Sequence, residues 1–382
     1  MKGYSTILFL IISIFTYSQN IDIKTYGAKG DGISDDTRAF TNAVNDIKAK
    51  YSAKKKHVNL YLPSGTYLIS KPIVLNKYIS ITGEFVNSTI IKVKEANSEA
   101  LILEKNYDES IIYNGYNYIK NITFLGPNSD IPNMFLPQNI KSSIINSTGL
   151  KIYGLRTRIE DIQVEGFSNN GIEILSAYYT FLNNCFIRNN GTGILIDKES
   201  TSVYLTKSEV RQNSIGIYIT GRSFANFIND NMIENNLAGY LAEDKTSQLY
   251  NLKSNGRAIV IDGASNNIIT SNYFEQHYVS IAVKDSFNNL INNNFFAVTG
   301  ETVNNEKNQT LYQLMGSSIN NIFEKNVAIN SMESVNPNKV KLGTDLDYSR
   351  NTIDTGAEGN AKLKEELLKN RNSSFKSPKI PN

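Results

Sequence analysis

The sequence predicts an all-β solenoid, a parallel β-helix whose coils are about 20–23 residues long. One observation is a six-residue segment of alternating character that recurs every 23 residues, starting at Ile159, Leu182, Leu205 and Ile228. A second is the short strand that follows most copies, as in Gly171–Ile174 and Gly193–Ile196. Alternation points every second side chain inward, and one coil cannot bury its own apolar face. The coils must therefore stack into a continuous core.

Further copies extend the stack in both directions. An earlier copy starts at Ile119, and later ones are expected at about Leu249 and at Ile269, Ile291 and Phe323. The repeat is about half as long as a propeller blade, and it lacks the spacing of a leucine-rich repeat. The fourth positions form one column, which reads Ile162, Cys185, Ser208, Asn231, about Leu252, Asn272, Asn294 and Asn326. Small polar side chains stacked in this way can hydrogen-bond from coil to coil. Cys185 is therefore predicted to be buried and unreactive.

The first 18 residues are interpreted as a signal peptide. Lys2 gives a positive start, Ile7–Phe15 is an apolar run too short to span a bilayer, and cleavage is expected near Ser18. An uncleaved anchor or a buried first strand is the alternative. We expect a secreted or periplasmic protein with no membrane insertion. Its β-helix domain is placed at 19–350, and a short helix and flexible tail at 351–382.

An N-terminal capping segment is predicted at residues 22–50. The glycine-rich stretch Tyr26–Thr37 leads into Arg38–Lys50, where one helical face is apolar. Asp35 or Asp36 can cap the first turn. A helix at this place would cover the open end of the solenoid, where strand edges need protection.

Composition excludes several kinds of protein. The net charge is only +3, and the one basic run is Lys54–Lys56, which argues against a nucleic-acid partner. A single cysteine among 382 residues excludes disulfides within the chain. With two histidines and no calcium-type acidic run, we expect neither a metal site nor another cofactor.

The opening of the chain resembles the pectate-lyase superfamily. Three segments are similar to its rhamnogalacturonase and epimerase-like branch: Tyr26–Thr37, Leu62–Tyr67 and Ile81–Glu84. The resemblance covers roughly residues 20–90 and implies a right-handed β-helix with an N-terminal capping helix. It also implies a polysaccharide substrate, but the branch includes hydrolases, lyases, epimerases and tailspikes, so it leaves the reaction open.

The catalytic motifs of the polygalacturonase-like members are absent. The positions before the second strands read Asn170, Thr192, Ile215 and Ala238, without a carboxylate. Acid and base groups must therefore lie elsewhere if the protein is an enzyme.

A charged column after the first strands supplies the candidate catalytic residues. They are Arg188, Arg211, Glu234 and Glu275, with His277 two residues further on. Candidate substrate-binding residues are Tyr178, Tyr179, Tyr204 and Lys253. Together they predict a sugar groove in which arginines hold carboxylates and tyrosines stack on sugar faces. The alternative is a ladder of exposed salt bridges between coils, with His277 in a turn position that other coils give to asparagine.

Two functional hypotheses remain open at this point. One is a secreted protein that cleaves an acidic polysaccharide, with lyase chemistry slightly favoured over hydrolysis. The preference for a lyase assumes that Glu234 and Glu275 lie two coils apart, roughly 10 Å, which is wide for a pair of hydrolytic carboxyl groups. The other is a non-catalytic protein that binds glycan or has a structural role. The oligomeric state stays open.

Overall fold

The computed structural model describes residues 19–51, 56–105, 116–132, 144–236, 256–298, 309–330, 340–344 and 350–353. Its elements begin with a short 3-10 helix, Ile23–Tyr26, and the helix α1, Thr37–Tyr51. The first strands are β1 Gln19–Asp22, β2 Asp31–Asp35, β3 Val58–Leu62, β4 Gly65–Ile69, β5 Ile73–Leu75, β6 Ile79–Gly83, β7 Thr89–Val93, β8 Ser98–Leu103, β9 Tyr118–Leu125 and β10 Ser147–Ile152. The middle strands are β11 Arg158–Glu165, β12 Asn170–Leu175, β13 Tyr178–Arg188, β14 Thr192–Asp197, β15 Thr201–Thr206, β16 Glu209–Arg211, β17 Ile215–Ile219, β18 Phe227–Asn229, β19 Met232–Glu234 and β20 Arg257–Asp262. The last strands are β21 Ile268–Thr270, β22 Tyr273–Glu275, β23 Val279–Lys284, β24 Leu290–Asn292, β25 Phe295–Val298, β26 Gln309–Met315, β27 Ile322–Glu324, β28 Val327–Asn330, β29 Val340–Thr344 and β30 Thr352–Ile353.

These strands form a right-handed parallel β-helix, which confirms the predicted fold class. Within the described residues, every pairing between strands is parallel and joins one coil to the next. Twenty strands belong to one sheet and ten to a second sheet. Each middle coil has two short strands in the first sheet, set at an angle to each other, and one strand in the second.

Single left-handed residues turn the chain at the corners of each coil. Between the two short strands of successive coils, φ is positive at Asn184, Lys207, Asp230, Ser271 and Asn293. Asn and Asp adopt this conformation more readily than other side chains because they can hydrogen-bond locally. The repeated segment is thus two strands with a bend, where the sequence pattern suggested one straight strand.

The core is filled by stacked aliphatic and aromatic side chains from all three sides of the coils. At two corners the core is bounded by ladders of buried asparagine. Asn231 shows the pattern: its Nδ2 donates to Leu205 O at 3.0 Å and to Asn272 Oδ1 at 3.0 Å, while its Oδ1 accepts from Ser208 N at 3.0 Å. Each amide therefore satisfies backbone groups that the turn leaves unpaired.

The N-terminal helix caps the stack as predicted. Ala39, Phe40, Ala43, Val44 and Ile47 of α1 are buried against the first coils. The carbonyl of Asp36 accepts the first helical hydrogen bonds, and the Asp35 side chain accepts from Thr37 N at 2.9 Å.

The Asp36 side chain holds the glycine-rich stretch through hydrogen bonds to its backbone. It is buried and accepts hydrogen bonds from Lys29 N at 2.6 Å and Gly30 N at 3.0 Å. The loop is thus tied to the first turn of the helix that covers the core.

One predicted repeat is wrong. The copy expected near Leu249 lies outside the described residues, and no coil separates those of Ile228 and Ile269, because these two residues are direct partners in adjacent strands. This correction changes the geometry of the candidate site.

Several predictions lie outside the described residues. They are the signal peptide at 1–18 with its cleavage near Ser18, and almost all of the C-terminal helix and tail at 351–382. Among the helices that the structure describes, none is long and apolar enough to cross a membrane.

Cys185 is buried in the polar column, as predicted, and burial raises the pKa of its thiol to about 12. Because the thiolate is the reactive form, we expect almost no labelling of the native protein by a thiol reagent at neutral pH over minutes. The same reagent should label the urea-unfolded chain at once, which serves as the positive control. Fast labelling of the folded protein would contradict the burial of this column.

Candidate functional site

The candidate site lies on one outward surface, which we call the carboxylate face. It is formed by the second short strand of each coil and carries two columns of side chains, one register position per coil. The first column is Gln163, Phe186, Glu209, Met232, Tyr273 and Phe295. The second column is Glu165, Arg188, Arg211, Glu234, Glu275 and Ala297.

Glu234 and Glu275 are neighbours on this face. They are register partners in β19 and β22, which pair directly. The expected separation of two coils is therefore wrong, because the two strands pair directly with no coil between them. Adjacent parallel strands place the two backbone positions roughly 4.8 Å apart.

Two carboxyl groups lie beside a single arginine next to this pair. Arg211 Nη1 lies 2.6 Å from Glu209 Oε1 and 4.0 Å from Glu234 Oε2. The Glu234 side chain is only 14% exposed. Burial, together with the charges of Glu275 and Glu209, raises the pKa of Glu234, and Arg211 only partly offsets these effects. A carboxyl group in this setting can keep its proton closer to neutral pH than an exposed glutamate.

Glu275 is held by a tyrosine on its own strand. The Tyr273 hydroxyl donates a hydrogen bond to Glu275 Oε2 at 2.8 Å. Burial and the nearby Glu275 and Glu234 charges raise the pKa of Tyr273, which keeps this donor protonated. The pair therefore consists of one carboxyl group with a raised pKa, Glu234, and one that accepts a hydrogen bond from a tyrosine, Glu275.

Arg188 belongs to a separate ion pair on the same face. Its Nε donates to Glu165 Oε2 at 2.8 Å, and its guanidinium stacks on Phe186 with 4.9 Å to the ring centroid. This part of the column matches the salt-bridge ladder that was the alternative interpretation. The other part, around Glu234, departs from it because carboxyl groups outnumber cations there.

His277 does not lie on the outer surface, so its predicted position there is wrong. The side chain is 3% exposed, and its Nε2 lies 2.8 Å from Ile233 O. It follows a one-residue corner and continues the buried ladder of Asn190, Asn213 and Asn236. Its ring fills the place that other coils give to an asparagine.

The buried ring makes an acid-sensitive contribution to stability. Burial lowers the pKa of His277 to about 4, below the ordinary value of 6.5. The unfolded chain therefore takes up the proton first, so stability is complete above pH 6.5 and is lost as the pH falls toward 4. We expect His277→Asn to remove much of the loss in melting temperature across this window, because an amide takes up no proton there. An unchanged pH dependence of the melting temperature would contradict this structural role.

The three predicted tyrosines lie apart from the carboxylate face. Tyr204 lies on the neighbouring outward surface, stacked between Phe181 at 5.1 Å and Phe227 at 4.7 Å. Tyr178 and Tyr179 lie at the corner that precedes that surface. The structure thus does not gather them into one groove with the glutamates. Lys253 lies outside the described residues.

Sequence reasoning missed Glu209 and Tyr273. Both lie two residues before a member of the charged column, which is the spacing that returns a strand side chain to the same face. The signal was therefore present in Glu209-Val-Arg211 and Tyr273-Phe-Glu275.

Two family models match the chain. The model described as rhamnogalacturonase A/epimerase, pectate lyase-like, matches residues 20–218, and the model described as periplasmic copper-binding protein (NosD) matches residues 133–326. In the part of the chain that the structure describes, no three His, Cys, Asp or Glu side chains are placed to hold a metal ion.

Among the curated relatives is a probable glucan endo-1,3-beta-glucosidase from Arthroderma benhamiae. It is 31% identical over 133 residues, which cover 34% of this chain and 14% of the relative. A glucan 1,3-beta-glucosidase from Cochliobolus carbonum is 40% identical over 67 residues, covering 16% of this chain and 8% of that protein. The chain thus spans only a small part of the length of these relatives.

A solved structure supports the fold over most of the chain. The DFA-IIIase from Arthrobacter chlorophenolicus A6, without its lid, superposes with a TM-score of 0.59 at 13% identity and covers 89% of this chain and 99% of that one. Likeness at this identity shows the fold alone. Membership follows from the first family model, which covers more than half of the sequence: the chain belongs to the rhamnogalacturonase A/epimerase, pectate lyase-like family.

Proposed function

We propose that this protein hydrolyses glycosidic bonds of a polysaccharide on the carboxylate face. Glu234 is the general acid, and Glu275 is its carboxylate partner. The observation that carries the proposal is their register pairing on adjacent coils, combined with the raised pKa of Glu234. Two carboxyl groups with different environments are what glycoside hydrolysis needs.

The spacing of the pair favours a retaining mechanism. Retaining enzymes hold their two carboxyl groups about 5–5.5 Å apart, close to the separation of adjacent strands, and inverting enzymes hold them farther apart. Glu234 would donate its proton to the glycosidic oxygen as that bond breaks. Glu275 would attack the anomeric carbon and form an ester with the sugar. Glu234, now ionised, would then take a proton from the water that cleaves the ester.

Neighbouring residues support these roles. The Tyr273 hydroxyl, 2.8 Å from Glu275 Oε2, would orient the nucleophile. Arg211, paired with Glu209, leaves a positive charge beside Glu234 that favours the ionised form needed in the second step. Met232, which is 50% exposed, and Phe295 add apolar surface against which a sugar ring can pack.

Charge argues against a uronate at the cleaved residue itself. Lyase chemistry would need a free cation to neutralise such a group, and both arginines of this face already pair with glutamates. The carboxyl groups of Glu209, Glu234 and Glu275 outnumber the one arginine near them and would repel an anionic sugar. We therefore propose hydrolysis at a neutral sugar residue, and we place the activity outside the cytoplasm. The family membership and the glucan-glucosidase relatives support a polysaccharide substrate.

A polysaccharide screen tests this proposal. The full chain is incubated with neutral and acidic polysaccharides, and new reducing ends are measured in parallel with the ultraviolet absorbance of unsaturated products. Reducing ends without unsaturated products are expected from at least one substrate. Unsaturated products would establish a lyase and overturn the proposal. Binding without any cleavage would favour the non-catalytic alternative.

A further inference from the structure

A cleft of ≈ 450 Å³ opens on the outward surface of the first coils. Its walls combine amide and hydroxyl groups with two aromatic rings, contributed by Asn20, Asn59, Ser80, Thr82, Tyr116 and Tyr118. Its volume falls in the range of small-molecule sites. The cleft lies on a different surface from Glu234. Counted along the register from Leu125, the coil of Tyr118 precedes the Glu234 coil by four steps, roughly 19 Å.

The amide and hydroxyl groups beside the cleft are held in a fixed network, and the surface that the cleft presents is mostly apolar. Asn59 Nδ2 donates to Asn20 Oδ1 at 3.0 Å and to Thr82 Oγ1 at 2.7 Å. Ser80 Oγ accepts from Tyr118 N at 2.9 Å. These groups come from three adjacent coils, so the backbone register sets their spacing. The cleft therefore has a rigid, mostly apolar lining, which suits packing against the C–H face of a sugar at low cost in ordering.

Aromatic rings form the wall of the cleft. Tyr116 is 46% exposed, and the ring nitrogen Nε2 of His57 lies 2.6 Å from its backbone carbonyl, which holds the residue in place. The Tyr118 ring lies beside it in the next register column. Exposed tyrosine rings with an apolar face and a polar end are suited to packing against the C–H face of a sugar.

A positive charge lies beside the cleft, against Tyr118, one of the rings that line it. The Arg158 guanidinium lies over the Tyr118 ring, 5.5 Å from its centroid, and its Nη1 donates to the Tyr118 hydroxyl at 2.8 Å. Arg158 is exposed, and it forms no ion pair with any carboxylate in the described part of the chain. Arg188, Arg211 and Arg222 each pair with a glutamate. Arg158 therefore has its guanidinium fork available for an anion.

We propose that this cleft is a second carbohydrate-binding site, which takes an anionic sugar residue of the polysaccharide and pairs its acidic group with Arg158. The proposal rests on the proposed function in taking the ligand to be a polysaccharide. It adds that the substrate carries an acidic residue some distance from the bond that is cleaved. The negative catalytic cluster and the positive distal cleft would then fix the direction and register of the bound chain.

Binding of defined oligosaccharides tests the site. Titration calorimetry of the full-length Glu234→Gln protein, whose fold is checked by circular dichroism, is performed with oligogalacturonate, the same oligomer after carboxyl reduction, and a sulfated glycan. We expect oligogalacturonate to bind and the reduced oligomer to bind about tenfold or more weakly, because charge-assisted hydrogen bonds are lost. Tight binding of the sulfated glycan as well would mean that the site accepts carboxylate and sulfate groups alike. Binding of oligogalacturonate alone would mean that it selects a carboxylate. Both results agree with the proposal.

Variants of two arginines complete the test. Arg158→Gln should weaken oligogalacturonate binding about tenfold, and Arg158→Glu should abolish it, without a change in melting temperature. Arg222→Gln removes an equally exposed arginine that pairs with Glu199 on another coil corner, and it should bind as the parent does. The proposal of a second site would be overturned if Arg158→Gln bound oligogalacturonate as tightly as the parent does. It would also be overturned if the parent bound the reduced oligomer as tightly as oligogalacturonate. Reducing-end release by wild type is measured separately, so failure of the proposed hydrolysis is distinguishable from failure of this site.

Discussion

Replacement of Glu234 by glutamine is expected to lower kcat/KM for polysaccharide hydrolysis by about 10²–10⁴-fold, the usual contribution of a general acid. The amide keeps the shape of the side chain but has no proton to give to the leaving oxygen. In the wild type, the raised pKa of Glu234 places the alkaline limb of the pH profile above the ordinary glutamate value of 4.5. Reducing-end assays across pH should show that limb in the wild type and lose it in Glu234→Gln.

A matched control separates this role from general loss of charge. Glu160 lies on the neighbouring outward surface and pairs with Lys120 at 3.4 Å. Glu160→Gln makes the same chemical change and should leave kcat/KM and the pH profile near wild type. If both variants retain wild-type activity, or if both lose it equally, Glu234 is not the acid.

Replacement of Asn231 by alanine is expected to destabilise the fold by about 2–5 kcal/mol, since it leaves buried backbone groups without partners. The variant would orphan Ser208 N and Leu205 O, and it would remove one member of the Asn231–Asn272 step in the ladder. Urea unfolding at neutral pH, followed by circular dichroism, measures the change in the free energy of unfolding.

Asn229 provides the control for this prediction, because it lies two residues earlier in the same coil and faces outward. Its Nδ2 donates only to the neighbouring Asp230 at 3.0 Å among the contacts that the structure describes. Asn229→Ala should change the free energy of unfolding by about 0.5 kcal/mol or less. A similar cost for both variants would mean that the ladder adds no more stability than a surface amide.

The stack and its inward column could be predicted because their causes are local and periodic. Alternation in Leu182–Ile187 and its copies identifies the inward positions, and Cys185 and Asn231 fall in the same buried column as predicted. The helix α1 was recognisable from its apolar face alone. Each of these features depends on spacing within one or two coils.

The candidate site was harder to predict from the sequence, because it depends on which coils lie next to each other. The 41 residues from Glu234 to Glu275 are about twice the usual repeat, which by itself predicts a separation of two coils. Only the pairing of β19 with β22 decides that the two carboxyl groups are neighbours. The position of His277 was predicted wrongly for a related reason. A one-residue left-handed corner at Gln276 turns the His277 side chain into the core.

The anomeric form of the first product tests the central claim most directly. Nuclear magnetic resonance of the reaction mixture, recorded within the first turnovers and before mutarotation, identifies whether the new reducing end keeps the configuration of the cleaved bond. Glu234 and Glu275 on adjacent coils, with backbone positions about 5 Å apart, predict retention. Inversion would contradict this pairing, because it requires the carboxyl groups to stand far enough apart to admit a water molecule.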